Sequence, residues 1–424
     1  MIPCVVMCHS LVAVAVLSYV TAGVAAQASA CAAHKEAITT VAARGATNYE
    51  FGFNVGRATA LRIAARMRGP EYVSVAAFGK GDAGAPFVTR LLVNANDTFP
   101  LYVDELRGMA DGAGIAFADI FILNAMSELE RVMPSPPSSN SRGPAAVDLG
   151  AAEQCTTILV GPPIASGGPR LLVHNEDARP VELDLMYLLE GRLPRAVGTG
   201  NPLQFTAFMY AGALATGAFG FNNNGVVFST NALSPLELNM SGVPRTFLQR
   251  HLLEARSAQD AVGRLQTVPV ACGFSANIAA LGGNGGNPAL LFNVELSPTL
   301  PAAVTTVGAN GVFYHTNSYI TSPTAQNPSP SSAARLSRLA QLPVPSPGNA
   351  EAAELMLGDT LNATYPVYRS ATLPDRSMTV MSATFELTEN ARGVGVGTLS
   401  LRANNPHLCR EPILTRAFDM SQAE

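Results

Sequence analysis

The 424-residue chain has no tryptophan and only two lysines, Lys35 and Lys80, and its charged residues make up 14% of the total. Soluble domains average about 25% charged residues. Hydrophobic residues nevertheless reach 48%, so we expect a globular chain that buries a substantial core. The net charge is −4, and the basic residues are scattered and form no stripe for a phosphate backbone. We therefore expect no nucleic-acid partner.

The chain also lacks the motifs of nucleotide-dependent and zinc-dependent proteins. It has no P-loop, no dinucleotide fingerprint and no paired-cysteine zinc spacing. The glycines of LGGNGGN (281–287) are not followed by a helix with a lysine, so this segment is interpreted as a turn. We therefore predict no cofactor and no bound metal.

The first thirty residues indicate a secretory route. An apolar run from Leu11 to Ala26 precedes Ala28-Ser29-Ala30, the small residues of a signal-peptidase site. The run is shorter than the ~20 residues of a membrane span, which leaves a short anchor as the alternative, and no later stretch is apolar enough to span. Three N-glycosylation triplets agree with a secreted or endomembrane (lysosomal lumen) location, and they begin at Asn96, Asn239 and Asn362.

Removal of residues 1–30 leaves four cysteines, Cys31, Cys155, Cys272 and Cys409. In an oxidising compartment they could form two disulfides. If Cys155 is catalytic, three cysteines remain. Cys272 with Cys409 or Cys31 with Cys409 are then the candidate bridges, and spacing does not choose between them.

The periodicity of the chain changes once, near residue 154. Apolar residues recur every three or four positions from Cys31 to Arg131, with a break at Asp111-Gly112-Ala113-Gly114, which predicts a mostly helical segment. Residues 133–154 are rich in Pro, Ser and Gly and predict an exposed linker. The rest reads as short strands with grouped helices, which favours antiparallel sheets covered by helices, an α+β fold.

Eight strands and three helical blocks are predicted beyond the linker. The strands are rich in β-branched and aromatic residues and are bounded by turn residues; they are CTTILV, RLLVHNED, PLQFTAFMYA, GVVFSTNAL, ALLFNVEL, GVFYHTNSY, MTVMSATFEL and GVGVGTLSLR. The helical blocks are RTFLQRHLLEARSAQDAVGRLQTV, SSAARLSRLAQL and NAEAAELMLGD.

Cys155 opens the first of these strands directly after the linker. A cysteine at the start of a strand is commonly a buried small hydrophobe. A cut at Gln154–Cys155, however, would break only a linker. It would also give Cys155 a free α-amine with a pKa of about 7.7–8.0, suited to act as a base on its own thiol, whose reference pKa is about 8.5. One residue would then supply both nucleophile and base.

Such a cysteine needs an acid to orient the amine and donors for an oxyanion. Asp177 lies opposite Cys155 if CTTILV and HNED (174–177) belong to one hairpin, with a turn cap as the alternative reading. Asn231 and Asn317 end strands, and their side-chain amides could donate to the oxyanion. The alternative for each is a simple turn former.

Seven motifs in order carry a resemblance: GFNVGRA, ELRGMADGAGIAFADIFILNAMSELE, CTT, HNED, GFNNNGVVFSTNAL, HTN and MTVMSATFEL. Together they resemble the fungal acyl-coenzyme A:6-aminopenicillanic-acid acyltransferase family, which belongs with the choloylglycine hydrolases among N-terminal nucleophile (Ntn) hydrolases. The resemblance runs from Arg44 to Arg402. It implies a four-layer αββα sandwich of two antiparallel sheets and a precursor that cuts itself. The two chains would be 31–154 and 155–424.

The resemblance also implies roles for individual residues. Cys155 would attack the carbonyl of a linear amide, a small-molecule amide or acyl donor, to give an acyl-thioester that water or an amine resolves. Asp177 would hold the α-amine and Asn317 and Asn231 the oxyanion. Arg376 is placed like the family's active-site arginine, with Arg369 as its competitor. By their place in the HNED motif, His174 and Asn175 are assigned to substrate binding. Asn175 matches a family asparagine beside the aspartate of that motif and is also given a structural role.

The chain departs from the family pattern at three positions beside the nucleophile. Gln154 stands where this branch often has Gly, His174 replaces Arg or Gln, and Glu176 replaces an aromatic or apolar residue. Three other interpretations stay open: a papain-like protease with His174 or His315 as base, a secreted glycoprotein with Cys155 in a disulfide, and a lipid amidase of phospholipase-B-like or acid-ceramidase-like type. A long apolar groove would favour the last.

Overall fold

A computed structural model of the chain describes residues 38–134, 154–164, 168–194, 201–215, 217–281, 291–389 and 394–419. The predicted signal peptide, residue Cys31, the turn 282–287 and nearly all of the predicted linker lie outside the described residues. Among the described residues, no helix is long and apolar enough to cross a membrane.

The segment before the linker is mostly helical, as its periodicity predicts. Its six helices are α1 (Asn48–Arg66), α2 (Pro70–Lys80), α3 (Ala85–Thr98), α4 (Pro100–Ala113), α5 (Phe117–Asn124) and α6 (Met126–Val132). Thr47 caps α1 by accepting from the Glu50 N–H, and Gly114 ends α4 at φ 69°, a left-handed conformation that favours glycine. The predicted break at residues 111–114 is therefore a helix end.

One prediction for this segment is wrong. Residues Thr40–Arg44 form a strand, β1, where helical spacing was expected to begin. β1 pairs in parallel with β4 (Tyr187–Leu193), so its conformation is fixed by a partner more than 140 residues away. Short segments of this kind take the structure that tertiary pairing offers them.

The first sheet has eight strands in the order β1, β4, β5, β6, β7, β8, β9, β10. Apart from the β1–β4 pair, all neighbours are antiparallel. The remaining strands are β5 (Leu203–Met209), β6 (Phe219–Asn222), β7 (Val226–Ala232), β8 (Phe274–Ala280), β9 (Leu291–Leu296) and β10 (Ala303–Val307).

The second sheet has six antiparallel strands in the order β11, β2, β3, β12, β13, β14. They are β2 (Gln154–Val160), β3 (Arg170–Ala178), β11 (Val312–His315), β12 (Met378–Glu389), β13 (Gly395–Arg402) and β14 (Leu414–Asp419). β2 and β3 form the hairpin that the sequence predicts, and it lies inside the sheet with a strand on either side.

Three hydrophobic clusters separate four layers. The largest packs α1 to α6, α7 (Arg245–Leu252) and α8 (Ala258–Thr267) on the first sheet. A second cluster fills the space between the two sheets. The third packs α9 (Pro330–Gln341) and α10 (Ala350–Leu357) on the second sheet. The architecture is therefore the expected αββα sandwich.

Candidate active site

The β2–β3 hairpin sorts the site residues onto two faces of the second sheet. Cys155 pairs with Glu176 and Thr157 with His174, while Gln154 pairs with Asp177. Because side chains alternate along a strand, the first two pairs share one face and the third takes the other. The hydrogen bonds of the hairpin follow this division.

On the first face, the Cys155 thiol lies within reach of a carboxylate. Its Sγ is 3.5 Å from Glu176 Oε2, and the same oxygen is 2.9 Å from His174 Nε2. Tyr210, which follows β5, donates a short hydrogen bond to the other oxygen of Glu176. His174 Nδ1 lies 2.9 Å from the hydroxyl of Thr157. All of these side chains are buried between the two sheets.

On the opposite face, two buried arginines hold Gln154. Arg335 from α9 and Arg369 from the loop before β12 both donate to its Oε1, at 3.1 and 2.6 Å. Both guanidinium groups also lie near Asp177, at 3.8 and 3.6 Å, and Thr379 donates to Asp177 at 2.7 Å. The carboxylate that the sequence assigns to the α-amine is therefore built into an arginine cluster beside Gln154.

Asn317 contacts the main chain of the proposed nucleophile. Its Oδ1 accepts from the Cys155 N–H at 3.0 Å and from Arg335 at 2.7 Å. Its Nδ2 donates to the Ala232 carbonyl at 3.1 Å. In the uncut chain the amide of Asn317 thus positions Cys155, and its donor is engaged by the end of β7.

Asn231 has an unused donor. Its Oδ1 accepts from Asn277 at 2.7 Å and lies 3.0 Å from Thr157 Oγ1. Its Nδ2 is buried and has no hydrogen-bond partner among the described residues. Buried donors are rarely left unpaired, and those that are call for an explanation. An N–H held in place next to Thr157 suits a negative charge that exists only during reaction.

Burial shifts the pKa of three groups in the site. It lowers the pKa of His174 to about 3, so the imidazole is neutral at physiological pH. It raises the pKa of the Asp177 carboxyl, although Arg369 and Arg335 act against it. Burial and the neighbouring Arg369 lower the pKa of Arg335 to about 10, which leaves it charged.

A cavity of about 90 Å³ adjoins this cluster. Gln154, Tyr210 and Asn317 contribute to its wall, which joins the cavity to both faces of the hairpin. Seven charged side chains also line it: Arg66, Arg131, Arg179, Arg245, Glu71, Glu130 and Glu182. The wall of the cavity thus combines charged and apolar side chains and does not form a long apolar groove.

Some sequence-predicted residues lie elsewhere. Arg376 is exposed on the turn before β12, and the competing Arg369 is the arginine in the cluster. Asn175 donates to the Leu357 carbonyl at 2.9 Å and accepts from Ser382, so it ties β3 to its neighbours. Neither Asn175 nor His174 appears in the described wall of the cavity. The interpretation of these two as substrate-binding residues stays a prediction.

Three participants were missed by sequence reasoning: Arg335, Tyr210 and Glu176 as a contact of the thiol. Arg335 donates to the Cys155 carbonyl at 2.6 Å and to Thr156 at 2.7 Å. An arginine inside a helical pattern looks like a solvated residue, and a tyrosine at a strand end looks like core. The signal for Glu176 was present, since it departs from the family pattern.

The state of the cysteines bears on two alternatives, the disulfide pairings and the papain-like protease. Cys155 and Cys272 carry buried thiols, whereas Cys409 is disulfide-bonded. The Cys272–Cys409 bridge is therefore wrong, as is a disulfide at Cys155, and Cys31 lies outside the described residues. Cys155 also lies in a strand, whereas a papain-like cysteine requires a helix. Both nitrogens of His315 are engaged, by Thr316 and Glu295.

The ligand atoms of Cys155, His174 and Glu176 lie within 4.8 Å of one another, a donor set that zinc uses in proteins. Glu176 Oε2 contacts both His174 Nε2 and the thiol. These hydrogen bonds account for the closeness of the three groups without an ion.

The predicted glycosylation triplets are placed unequally. Asn96 is exposed in the last turn of α3, whereas Asn239 and Asn362 are half-buried. Each of the latter two accepts a local backbone N–H, from Ser241 and Thr364 respectively. Their modification stays a prediction.

A reduced cysteine that opens an inner strand of an αββα sandwich, beside asparagines and a cavity lined in part by charged side chains, defines the class as an Ntn-hydrolase-type fold. Comparison with known families agrees. Residues 165–395 match the model of the acyl-coenzyme A:6-aminopenicillanic acid acyl-transferase family, and the chain belongs to this family.

A curated relative covers nearly the whole chain. The sequence is 26% identical over 401 residues to the beta-alanyl-dopamine/carcinine hydrolase of Drosophila melanogaster, an alignment that spans 90% of this chain and 97% of the relative. Family and relative together support an amidase or acyltransferase.

Proposed function

We propose that the chain is a self-processing Ntn amidohydrolase or acyltransferase whose nucleophile is Cys155. The observation that carries this proposal is that both the side chain and the backbone N–H of Cys155 are held by neighbouring polar groups. The Cys155 thiol faces Glu176 and its backbone N–H binds Asn317, while the preceding residue, Gln154, lines the cavity. Cutting at Gln154–Cys155 would free the α-amine of Cys155 beside a residue of the cavity wall.

In turnover, the α-amine of Cys155 takes the thiol proton and Sγ attacks the carbonyl carbon of an amide. The tetrahedral oxyanion takes the unused donor of Asn231, and Asn317 becomes a second donor once its present contacts change. The C–N bond breaks, the nitrogen takes the proton, and the amine leaves. Water hydrolyses the remaining thioester, or an acceptor amine takes the acyl group.

The substrate proposed is a small polar linear amide. The cavity holds room for several water molecules, and its wall carries guanidinium and carboxylate groups. Some of these charges pair with each other, as Arg66 does with Glu182 and Arg179 with Glu71. A fatty acyl chain would displace the water that solvates them, which disfavours the lipid-amidase alternative. The two compounds in the relative's name, β-alanyl-dopamine and carcinine, are the first substrates to test.

We also propose a secreted or endomembrane location, supported by the signal-like first thirty residues and by the exposed triplet at Asn96. After the cut, the two chains would stay together, because β1 belongs to the first sheet and α1 to α6 share its core.

The test is the Cys155→Ala variant of the full chain, compared with wild type by intact mass, N-terminal sequencing and release of free amine from both substrates. Wild type should yield a chain that begins Cys-Thr-Thr and should release amine. The variant should stay in one piece and release none. A cut, active Cys155→Ala protein would remove the proposal. Cys272→Ala, which deletes the other buried thiol, should still be cut.

A further inference from the structure

Self-cleavage raises a problem that turnover does not have. Before the cut, the nitrogen of Cys155 belongs to a peptide bond and donates its proton to Asn317. An amide nitrogen is not basic, so it cannot take the thiol proton as the free α-amine can. A different group must do so in the precursor. The inference that follows rests on the proposed self-cleavage.

Only one of the two nearby carboxylates faces the thiol. Glu176 pairs directly with Cys155 across the hairpin, and its Oε2 lies 3.5 Å from Sγ. Asp177 contacts Thr379, Arg369 and Arg335 on the opposite face of the sheet. Because side chains alternate along β3, Glu176 lies on the face of the thiol and Asp177 on the face of the arginines.

Glu176 is held in one orientation. Tyr210 donates to Oε1 and, with the proton on Nε2, His174 donates to Oε2. His174 Nδ1 lies 2.9 Å from the Thr157 hydroxyl, which donates to Asn231. Two donors on a carboxylate stabilise its charged form, the form that can accept a proton, and so act against the effect of burial. The neutral imidazole adds no positive charge of its own.

We propose that Glu176 is the general base for self-cleavage of the precursor. The Cys155 thiol gives its proton to Glu176, and the thiolate attacks the carbonyl carbon of Gln154. The Gln154–Cys155 C–N bond breaks while the nitrogen takes the proton back from Glu176. Water then hydrolyses the resulting thioester, which leaves a carboxylate on Gln154 and regenerates the Cys155 thiol. Glu176 ends as it began.

The experiment follows cleavage of the full chain after cell-free synthesis in EDTA, by intact mass against time. Glu176→Gln keeps the shape and the contact with Tyr210 but cannot accept the proton. Because a general base contributes typically 10²–10⁴ in rate, we expect cleavage to slow by about that factor near pH 7. Cleavage at the wild-type rate would overturn the proposal.

The pH profile separates a base from a structural role. The titratable groups in described contact with Glu176 include His174, Cys155 and Tyr210, and Arg66 lies over the Tyr210 ring at 5.2 Å. Without a base, the rate in Glu176→Gln should rise about tenfold per pH unit toward the thiol pKa of about 8.5, as thiolate forms unaided. A deficit of equal size at every pH would overturn the proposal.

Tyr210→Phe covers the case in which Glu176→Gln fails to fold. It removes one donor from Glu176 and leaves the thiol contact intact, so the acid limb of the cleavage profile should move to higher pH. An unmoved limb would contradict the role of Glu176. A wild-type chain that is never cut would instead remove the proposed self-processing itself, so the two failures are distinguishable.

Discussion

At the scale of single residues, the alternation of one hairpin separates two kinds of chemistry. Cys155 and Glu176 share one face, whereas Gln154 and Asp177 share the other with Arg335 and Arg369. The first face carries the thiol and its proton acceptor. On the second face, Arg335 and Arg369 bind the side chain of Gln154, which precedes the proposed cleavage site. Contacts on both sides of this bond restrict its motion, which is one requirement of an oriented attack.

Arg369 and Arg376 offer a direct comparison between resemblance and structure. Arg369→Ala removes a donor to Gln154 and the bidentate partner of Asp375, a buried pair whose loss costs about 3–5 kcal/mol. We expect slower self-cleavage and a large fall in the free energy of unfolding. Arg376→Ala, at an exposed turn, should change stability by less than about 0.5 kcal/mol and leave cleavage intact.

Urea unfolding and the mass time course of the two variants check this prediction. If Arg376→Ala proved the more damaging, the assignment of the arginine would revert to the one the resemblance implies.

Strand ends and motif order in the sequence mark Cys155, Asp177, Asn231 and Asn317 as candidates. Arg335 could not be found in this way, because it lies in the middle of a helix and contacts Cys155 and Gln154 across 180 and 181 positions of sequence. The spacing before β12 likewise favours Arg376 over Arg369. The path of the loop, which buries Arg369 and exposes Arg376, is a tertiary property that spacing does not contain.

At the scale of elements, the pair α1 and α4 is packed through glycines. A Cβ on Gly52 or Gly56 would lie 1.9 or 2.1 Å from a carbonyl oxygen of α4, and one on Gly108 would lie 1.9 Å from Tyr49 O of α1. The two backbones therefore touch directly. This explains why glycines occur inside helices, where they are otherwise unfavourable.

Gly56→Ala should force α1 and α4 apart. The added methyl group meets backbone that cannot move aside, so we expect a loss of about 1–3 kcal/mol or more in the free energy of unfolding. Gly263→Ala in α8 is the matched control, because nothing lies within 4 Å of the new Cβ. There, helix propensity should stabilise the protein by roughly 0.5–1 kcal/mol.

Both values can be measured by urea denaturation. Equal effects of the two substitutions would show that the helix contact is looser than described.

All eight predicted strands are present, because each has its own β-branched pattern and its own turn boundaries. Six other strands among the described residues were not predicted. β1, β10 and β14 are half-exposed and β6 has only four residues. β4 and β8 are buried, but each contains at most one β-branched residue. Their structure comes from pairing with neighbours, which no local window contains. The sheet order, with β11 beside β2, is likewise a property of the whole fold.

At the scale of the whole molecule, the proposed cut divides a single folded unit. β1 completes the edge of the first sheet, and Glu105 of α4 forms a buried ion pair with Arg250 of α7. Because both contacts join residues on either side of Cys155, the fold would outlast the broken bond. If the proposed cut occurs, we therefore expect the N-terminal chain to stay bound as a structural part of the processed protein.

Two buried histidines make the stability of the whole molecule depend on pH. Burial lowers the pKa of His174 to about 3 and, together with Arg264, that of His251 to about 4. In the unfolded chain both return to about 6.5, so the unfolded state binds more protons once the pH falls below that value. The stability from these neutral histidines is therefore present above about pH 6.5 and is lost as the pH falls toward 4.

His251→Gln should flatten this dependence. Each histidine contributes a loss of roughly 2 kcal/mol between pH 7 and pH 5, from about 1.4 kcal/mol per pH unit. The variant should lose that much less than wild type over the same interval, measured as free energies of unfolding in urea at the two pH values. It is an informative site because His251 lies beside Tyr102 and Arg264, away from the hairpin, so self-cleavage does not enter the measurement. If the variant lost as much unfolding free energy between pH 7 and pH 5 as wild type, His251 would already be protonated in the folded protein at pH 5, and the argument from its burial would fail.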